Sequence, residues 1–370
     1  MFNDLIIFEM ANNHQGSIDH AKKIVSKFSD LSNKYSLNSS IKLQYRDIPE
    51  FISKKQLRIK TNKHIDRFLS TKLTRSEFRS ISKKIKSRGL KLIITPFDEV
   101  SVERAVEDGV DIIKIASCSA NDWPLIEKIA SYDKPIIFST GGQSIENIDN
   151  LYSFLTHKNK EFAIMHCVSI YPTELKDAQL NQIKRLSDRY PEINIGYSGH
   201  ESPQNITISS VAIGVGATMF ERHVGLETSK IKLNKYSMNP KECENWIKNL
   251  IDSKKTITKN KNKEISNIEN KSIEELQRGV FLKKAIKKGQ LIKEQDVYFA
   301  FPLEKNQMPS GRFKNNIKNS KNYKKNDPMV YFYKESISKK IREHIHNYKG
   351  MLNEAKVTVG KYESMELSHH

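Results

Sequence analysis

Eight short apolar runs in this sequence each end in side chains that can do chemistry. The first ends in Glu9 and leads into Asn12-Asn13-His14-Gln15-Gly16; the second carries Lys42 and Gln44, the third Thr95 and Phe97. The fourth supplies Lys114 and Ser117, the fifth Ser139-Thr140-Gly141, the sixth His166, Ser169 and Tyr171. The seventh ends in Ser198 and His200, the eighth in Glu221 and His223. A lysine inside an apolar run, as in Asp111-Ile112-Ile113-Lys114-Ile115, is costly to bury unless it meets an anion. Two such lysines with Ser/Thr hydroxyls suit a doubly charged phosphate and an adjacent carboxylate. One desolvated lysine would equally suit Schiff-base chemistry, and the residue types alone leave both open. His200 and His223 end consecutive runs, so their imidazoles are placed to converge on one ion. Two neutral imidazoles with water and substrate oxygens suit Mn²⁺ or Mg²⁺. The plainer reading of each is a satisfied rim histidine.

Such residues act together only if a scaffold brings the run ends to one place. The runs are Leu5–Phe8, Ile41–Gln44, Lys91–Thr95, Ile112–Ala116, Pro135–Phe138, Phe162–Cys167, Asn194–Tyr197 and Met219–His223. Between them lie amphipathic stretches with helical spacing: Ile18–Leu31, Arg75–Lys86, Ser101–Glu107, Leu125–Ser131, Ile145–Thr156, Ala178–Asp188 and Thr207–Val215, with a last one at Pro240–Ile251. Strands alternating with helices of this length predict parallel βαβ units. Eight units in about 250 residues fit an α/β fold of the (β/α)₈ TIM-barrel type, whose active sites lie at the carboxyl ends of the strands. A doubly wound sheet is the competing architecture, and the lack of a GxGxxG opening a helix after an early strand counts against it.

Residues 252–272 lack apolar periodicity and read as a linker. Beyond it, Val280–Leu282, Leu291–Ile292 and Val297–Phe299 are short β-like runs, predicting a small β-rich module over 273–336. Residues 337–370 read as an extension that opens with a helical pattern and ends in a polar run, as though the start of a further domain. The barrel is assigned to 1–251.

Composition removes other classes. No apolar run approaches the ~20 residues a membrane helix needs, and the N-terminus lacks a basic stretch before its apolar residues. Cys118, Cys167 and Cys243 lie far apart, which fits a reducing cytoplasm rather than a disulfide framework or a zinc site. The net charge of +19 invites a nucleic-acid reading. However, 26 Lys/Arg against 14 Asp/Glu fall from residue 251 onward, in Lys/Asn-rich runs typical of solvated surface. No aromatic-interleaved basic motif accompanies them, so the expected partner is a small anionic substrate drawn in by the field, with no nucleic acid and no membrane.

The motifs resemble the sialic acid synthases. Glu9 with Asn13-His14-Gln15-Gly16-Ser17, Lys42-Leu43-Gln44, Thr95-Pro96-Phe97, Lys114-Ile115-Ala116-Ser117, Ser139-Thr140-Gly141, His166 through Thr173, Tyr197-Ser198-Gly199-His200 and Glu221-Arg222-His223 occur in that family's order. The resemblance implies an enzyme that condenses phosphoenolpyruvate with a sugar aldehyde, with Mn²⁺ or Mg²⁺, to a 3-deoxy-2-ulosonic acid and phosphate. It implies that Lys42, Lys114, Ser117, Ser139, Ser169 and Ser198 hold phosphoenolpyruvate and that His200 and His223 hold the metal. Gln44, Thr95, Phe97, Tyr171 and Glu221 would face the sugar. Glu9 and Glu221 would handle a proton or orient a hydroxyl, two roles that the sequence does not separate. The second module resembles the family's antifreeze-like (SAF) domain through Arg278-Gly279-Val280-Phe281 and Ala285-Ile286-Lys287-Lys288-Gly289-Gln290. That implies a domain-swapped homodimer in which the module covers the partner's barrel mouth.

Three positions depart from the family pattern. Ser119 stands where a Glu is usual, the stretch Lys232–Ser237 replaces Gly-Pro-Asp-His, and Phe301-Pro302 replaces an Arg-Pro whose arginine reaches the sugar's N-acyl group. All three lie toward the sugar or the reaction intermediate, which predicts a retained reaction with a changed acceptor. A synthase for a non-acetylated or phosphorylated sugar, and a non-catalytic sugar-binding relative, are the alternatives.

Overall fold

The computed structural model describes residues 1–257 and 263–330. The chain divides into two compact units, Met1–Lys259 and Asn260–His370.

In the first unit eight strands run β1 (Ile6–Glu9), β2 (Ser39–Tyr45), β3 (Lys91–Pro96), β4 (Ile112–Ile115), β5 (Ile136–Ser139), β6 (Phe162–Cys167), β7 (Ile195–Gly199) and β8 (Met219–His223). Each pairs in parallel with the next, and β8 returns to β1, closing the barrel. Period-two alternation then decides which side chains face inward. Leu5, Ile7, Ile93, Ile112, Ile137, Ala163, Met165 and Met219 fill the lower interior as a dry plug. Two residues further along the same strands come Glu9, Thr95, Lys114, Ser139, Cys167 and Glu221, so one parity yields both the plug and the polar floor above it. The opposite parity, with Phe8, Ile41, Ile94, Ile113, Phe138, Ile164 and Phe220, packs against the helical shell.

The helices start where sequence signals put them. Ser17 caps Ile18–Lys34, Asp98 caps Glu99–Glu107 and Ser144 caps Ile145–His157, each accepting from a backbone N–H in the first turn. Thr74 with Glu77, and Asn239 with Glu242, form reciprocal capping boxes at the starts of Arg75–Ser87 and Pro240–Lys255. The remaining shell helices are Trp123–Ala130, Asn181–Arg189 and Thr207–Gly214.

Between β2 and the helix Arg75–Ser87, three short helices (Ile48–Phe51, Lys54–Ile59, Ile65–Ser70) fold over the rim around Ile48, Ile52 and Ile65. Each spans fewer than two turns, too short for a helical period to show in the sequence.

In the second unit β9 (Gly279–Leu282) pairs antiparallel with β11 (Val297–Ala300), and β10 (Leu291–Ile292) with β12 (Ile317–Lys318). Val280, Leu282, Ile286, Ile292, Val297, Met308, Tyr323 and Met329 form its core. The stretch 252–272, expected without structure, carries the last turn of Pro240–Lys255 and a helix, Asn267–Glu274, capped by Ser266. Its apolar residues Ile268 and Ile273 are 80% and 56% exposed, so it has no buried stripe, which is why no apolar face was legible. The extension 337–370 lies outside the described residues. Among the described residues no helix is long and apolar enough to cross a membrane.

Candidate active site

At the carboxyl end of the barrel a chain of ionic contacts crosses the interior. Lys42 on β2 reaches Glu9 on β1 (Nζ–Oε2 2.6 Å) and Glu221 on β8 (Nζ–Oε1 2.8 Å). Lys114 on β4 meets the other oxygen of Glu221 at 3.2 Å and contacts the Met165 sulfur at 3.2 Å. Ser198 on β7 donates to Glu221 (2.9 Å). All six residues are at most 5% exposed. The anions that these buried lysines need are thus Glu9 and Glu221 in the first place. The two lysines and two carboxylates sum to zero charge. Burial is the largest influence on Glu221 and would raise its pKa, but the fields of Lys114 and Lys42 together overcome it and hold the carboxyl well below its usual range. Burial pulls Lys42 down to about 8, with Glu221 opposing.

Two side-chain groups flank this floor. On one side Ser117, in a single 3₁₀ turn after β4, accepts from the Gly141 N–H (3.0 Å), and its own carbonyl accepts from Gln143 (2.7 Å). A Cβ on Gly141 would fall 2.4 Å from Ser169 Oγ, 2.9 Å from Ser117 Oγ and 3.3 Å from Cys167 Sγ. Only glycine leaves that space open, and the result is a hydroxyl-lined recess with Ser139 buried on the neighbouring strand. On the other side His200 and His223 lie with ring centroids 5.2 Å apart. Tyr171 packs on His200 at 4.4 Å, and Tyr236 lies 5.1 Å from His223. His200 Nδ1 sits 3.2 Å from the Val168 carbonyl, which fixes Nδ1 as the protonated nitrogen and leaves Nε2 with a lone pair. Burial pulls His200 down to about 4 and His223 well below its ordinary value, so both rings are neutral at pH 7.

A third group lies over β2 and β3. Gln44 donates to Glu9 (Nε2–Oε1 3.3 Å) and accepts from Arg46 (2.8 Å), while the Arg46 guanidinium stacks 3.8 Å over Phe97 and 4.3 Å over Phe68. Thr95 is buried below them with no partner for its Oγ1.

All fourteen residues predicted for the site therefore lie on the barrel's carboxyl rim or its inner wall, but they fall into these separate clusters. Ser169 and Tyr171 are exposed on the loop after β6, and Phe97 is half-buried. His166, counted among the rim residues, faces outward: its Nε2 bonds the Ala178 carbonyl (2.8 Å) and its ring stacks on Tyr197. Its parity on β6 is opposite to that of the inward Met165 and Cys167. Cys167 was missed for the same reason, although alternation from Ala163 and Met165 would have found it. Arg46 continues the parity of Lys42 and Gln44. Tyr236 had no sequence signal; the loop after β8 brings it back when Val224 bridges Met238.

Buried neutral histidines have a consequence for stability. His14, 3% exposed, is pulled down to about 4 by burial first, then by Arg67 and His20. In the unfolded chain it protonates near its ordinary 6.5, so between pH 6.5 and 4 the unfolded state binds the extra proton and stability falls with pH. The full shift corresponds to on the order of 3 kcal/mol at 1.36 kcal/mol per unit. Urea midpoints measured in chelator at pH 7.5, 5.5 and 4.5 should be lower at each acidic step. An unchanged midpoint from 7.5 to 5.5 would contradict the burial of these rings in neutral form.

A model of the NeuB family matches residues 35–262. The N-acetylneuraminate-9-phosphate synthase of Drosophila melanogaster is 32% identical over 249 residues, and the match spans 64% of this chain and 64% of that protein. The N,N'-diacetyllegionaminic acid synthase of Campylobacter jejuni is 28% identical over 298 residues, covering 78% of this chain and 88% of that one. Among solved structures, the spore coat polysaccharide biosynthesis protein E of Chromobacterium violaceum superposes with a TM-score of 0.82 at 35% identity, over 88% of this chain and 98% of that chain.

Proposed function

The chain belongs to the NeuB family, and from that membership we propose that it condenses phosphoenolpyruvate with an open-chain sugar aldehyde, giving a 3-deoxy-2-ulosonic acid and inorganic phosphate. The observation that carries this reading is the neutral Lys42–Glu9–Glu221–Lys114–Ser198 floor set between a hydroxyl recess and a pair of neutral imidazoles. Carbon 3 of phosphoenolpyruvate forms the new bond to the aldehyde carbon, whose oxygen takes a proton. Water adds at carbon 2, and the tetrahedral intermediate expels phosphate. Lys42 and Lys114 each have an ammonium proton to spare for the carboxylate or phosphate; Ser117, Ser139 and Ser169 line the recess for the phosphate oxygens. Glu221, held ionised by the lysines, and Glu9 beside it are placed to orient the attacking water or accept its proton. Gln44, Thr95, Phe97 and Tyr171 face the acceptor, and the orphaned Thr95 hydroxyl gains a partner when the sugar binds. Holding both substrates on one rigid rim lowers the entropic barrier to their union.

The floor is already neutral, so the negative charge of phosphoenolpyruvate calls for a further cation. Among the described residues no group of three or more His, Cys, Asp or Glu side chains is arranged for an ion. The two imidazoles fit an open site completed by water and substrate oxygens, with His200 and His223 as its protein ligands. A divalent Mn²⁺ or Mg²⁺ there would polarise the sugar carbonyl and organise a water. The second unit is assigned as an SAF-type lid that closes the barrel of a second copy in a domain-swapped homodimer. The exposed Ile268, Ile273 and Leu276 support such a partner surface.

Phosphate release on mixing phosphoenolpyruvate with a panel of aldoses tests the reaction. Release should require both substrates, and Lys114→Ala should weaken phosphoenolpyruvate binding by roughly 1.5–3 kcal/mol, the worth of a charge-assisted contact. A borohydride-trapped adduct on Lys114 with a keto substrate would replace this reading with Schiff-base chemistry.

A further inference from the structure

On the outer wall of the first unit the helices Ile18–Lys34 and Arg75–Ser87 pack side by side, joined by Arg88 Nε donating to Ser29 Oγ (2.8 Å). Their apolar residues, Ile24, Val25 and Phe28 on one and Ile81 and Ile85 on the other, turn to the barrel core. The seam between them is left to outward-facing residues. It forms an open groove of about 680 Å³ lined by Lys22, Lys23, Lys27, Lys83 and Lys84, with three serines between them. None of the five ammonium groups makes an ion pair or hydrogen bond to a described residue. Asp30 is the one acid lining the groove, and it pairs with Arg88. Further along the second helix, Arg75 and Arg79 are matched by Glu107 and Asp108. The uncompensated charge is therefore confined to the groove. Like charges gathered in one furrow repel one another, and bound carboxylates relieve that repulsion.

We propose that this groove docks an acidic α-helix of a partner protein, with Asp or Glu repeated every four residues on the face it presents. Packed helices stand about 8–10 Å apart, so the furrow between them seats a third helix of about 10 Å diameter. On one wall Lys23 and Lys27 stand four residues apart, and on the other Ser80 and Lys84 do. That is the spacing at which carboxylates recur along one face of a helix. No aromatic residue lines the groove, so single-stranded nucleic acid finds no stacking platform there. No apolar residue lines it either, so a membrane finds no side chain to bury. Lysine, a point charge on a flexible stem, gives a contact that is steered from a distance and weakened by salt. None of the lining residues belongs to the rim clusters, so docking leaves the barrel mouth open.

The test uses the full chain and two fluorescent, alanine-based helical peptides of equal glutamate content. One carries its glutamates every four residues on a single face; in the other they are spread evenly around the helix. Anisotropy titration should show the one-faced peptide binding at least tenfold tighter, with affinity falling as salt rises. Lys23→Gln, Lys27→Gln and Lys83→Gln combined should weaken it at least tenfold, whereas the same three changes to Arg should retain it. Lys314→Gln, Lys318→Gln and Lys324→Gln remove equal charge from the second unit and should leave binding within twofold. Neither set should move the urea midpoint, because all six side chains are exposed. Equal affinity for the two peptides, or no binding of either, would overturn the proposal. So would tighter binding of a duplex DNA, a single-stranded RNA or phosphatidylserine vesicles than of the one-faced peptide. Undiminished affinity in the triple Gln variant would remove the groove from the contact. A changed oligomeric state of that variant, read by light scattering, would overturn the partner assignment in favour of a second copy of this chain.

Discussion

His223→Ala is expected to reduce turnover of phosphoenolpyruvate with any acceptor on the order of a thousandfold, about 4 kcal/mol of transition-state stabilisation, while the barrel stays folded. The side chain lies at the end of β8, half-buried, with ring contacts only to His200 and Tyr236 and no hydrogen bond to any described residue. Its removal opens space at the rim and leaves no buried group stranded, so urea midpoints should move little. His200→Ala should match it in turnover but cost slightly more stability, because the His200 ring is also bound to the Val168 carbonyl. Exhaustive chelation of the unaltered protein should reproduce the loss, with recovery on adding Mn²⁺ or Mg²⁺, whereas the His223→Ala protein should not recover. Full turnover after chelation would remove the metal from the reaction and return both histidines to the role of rim packing.

The positions of the polar floor could be read from the sequence because a barrel strand has a strict period. Once Glu9, Lys42, Lys114 and Glu221 are placed at the carboxyl ends of strands, parity sends them inward with no further information. The same rule, applied residue by residue, turns His166 outward and Cys167 inward, and it extends β2's inward series from Lys42 and Gln44 to Arg46. Other features depend on contacts between distant segments. That Lys42 would be shared by two carboxylates follows from β2 lying beside β1, with Glu221 brought close by the return of β8. Tyr236 reaches the histidines through a loop that closes on the bridge from Val224 to Met238. The rim helices that place Arg67 are too short to leave a periodic signal, and their small core of Ile48, Ile52 and Ile65 forms only when they dock on one another. Local pattern gives the frame; side-chain partnership across the barrel gives the chemistry.

Arg222→Ala should destabilise the first unit by about 3–5 kcal/mol, the cost of stranding a buried charge. Arg222 lies on β8 between Glu221 and His223 with the opposite parity, so it faces the helical shell and is 1% exposed. Its guanidinium pairs with Glu201 Oε1 and donates to the Glu201 carbonyl (2.6 Å). Glu201, fully buried, also accepts from the Tyr197 hydroxyl (2.9 Å). A Cβ on Gly199 would lie 2.4 Å from Glu201 Oε2, so the carboxylate fills the space that this glycine leaves beside the strand. Glu201 follows His200 and Arg222 precedes His223, so the pair ties together the backbones that carry both imidazoles. Removing the arginine leaves the carboxylate desolvated with one hydroxyl for company, and Glu201→Ala strands the guanidinium, whose Nε already lacks a partner. Replacing both at once with apolar residues of similar volume, Glu201→Leu with Arg222→Met, removes both desolvation costs together. The double variant should therefore recover at least half of the single-variant loss, by analogy with other buried ion pairs exchanged for hydrophobic packing. Denaturant unfolding of the four proteins of this cycle measures the coupling directly. Single losses under 1 kcal/mol, or losses that simply add in the double variant, would show that the pair is not what holds the two histidine-bearing strand ends together.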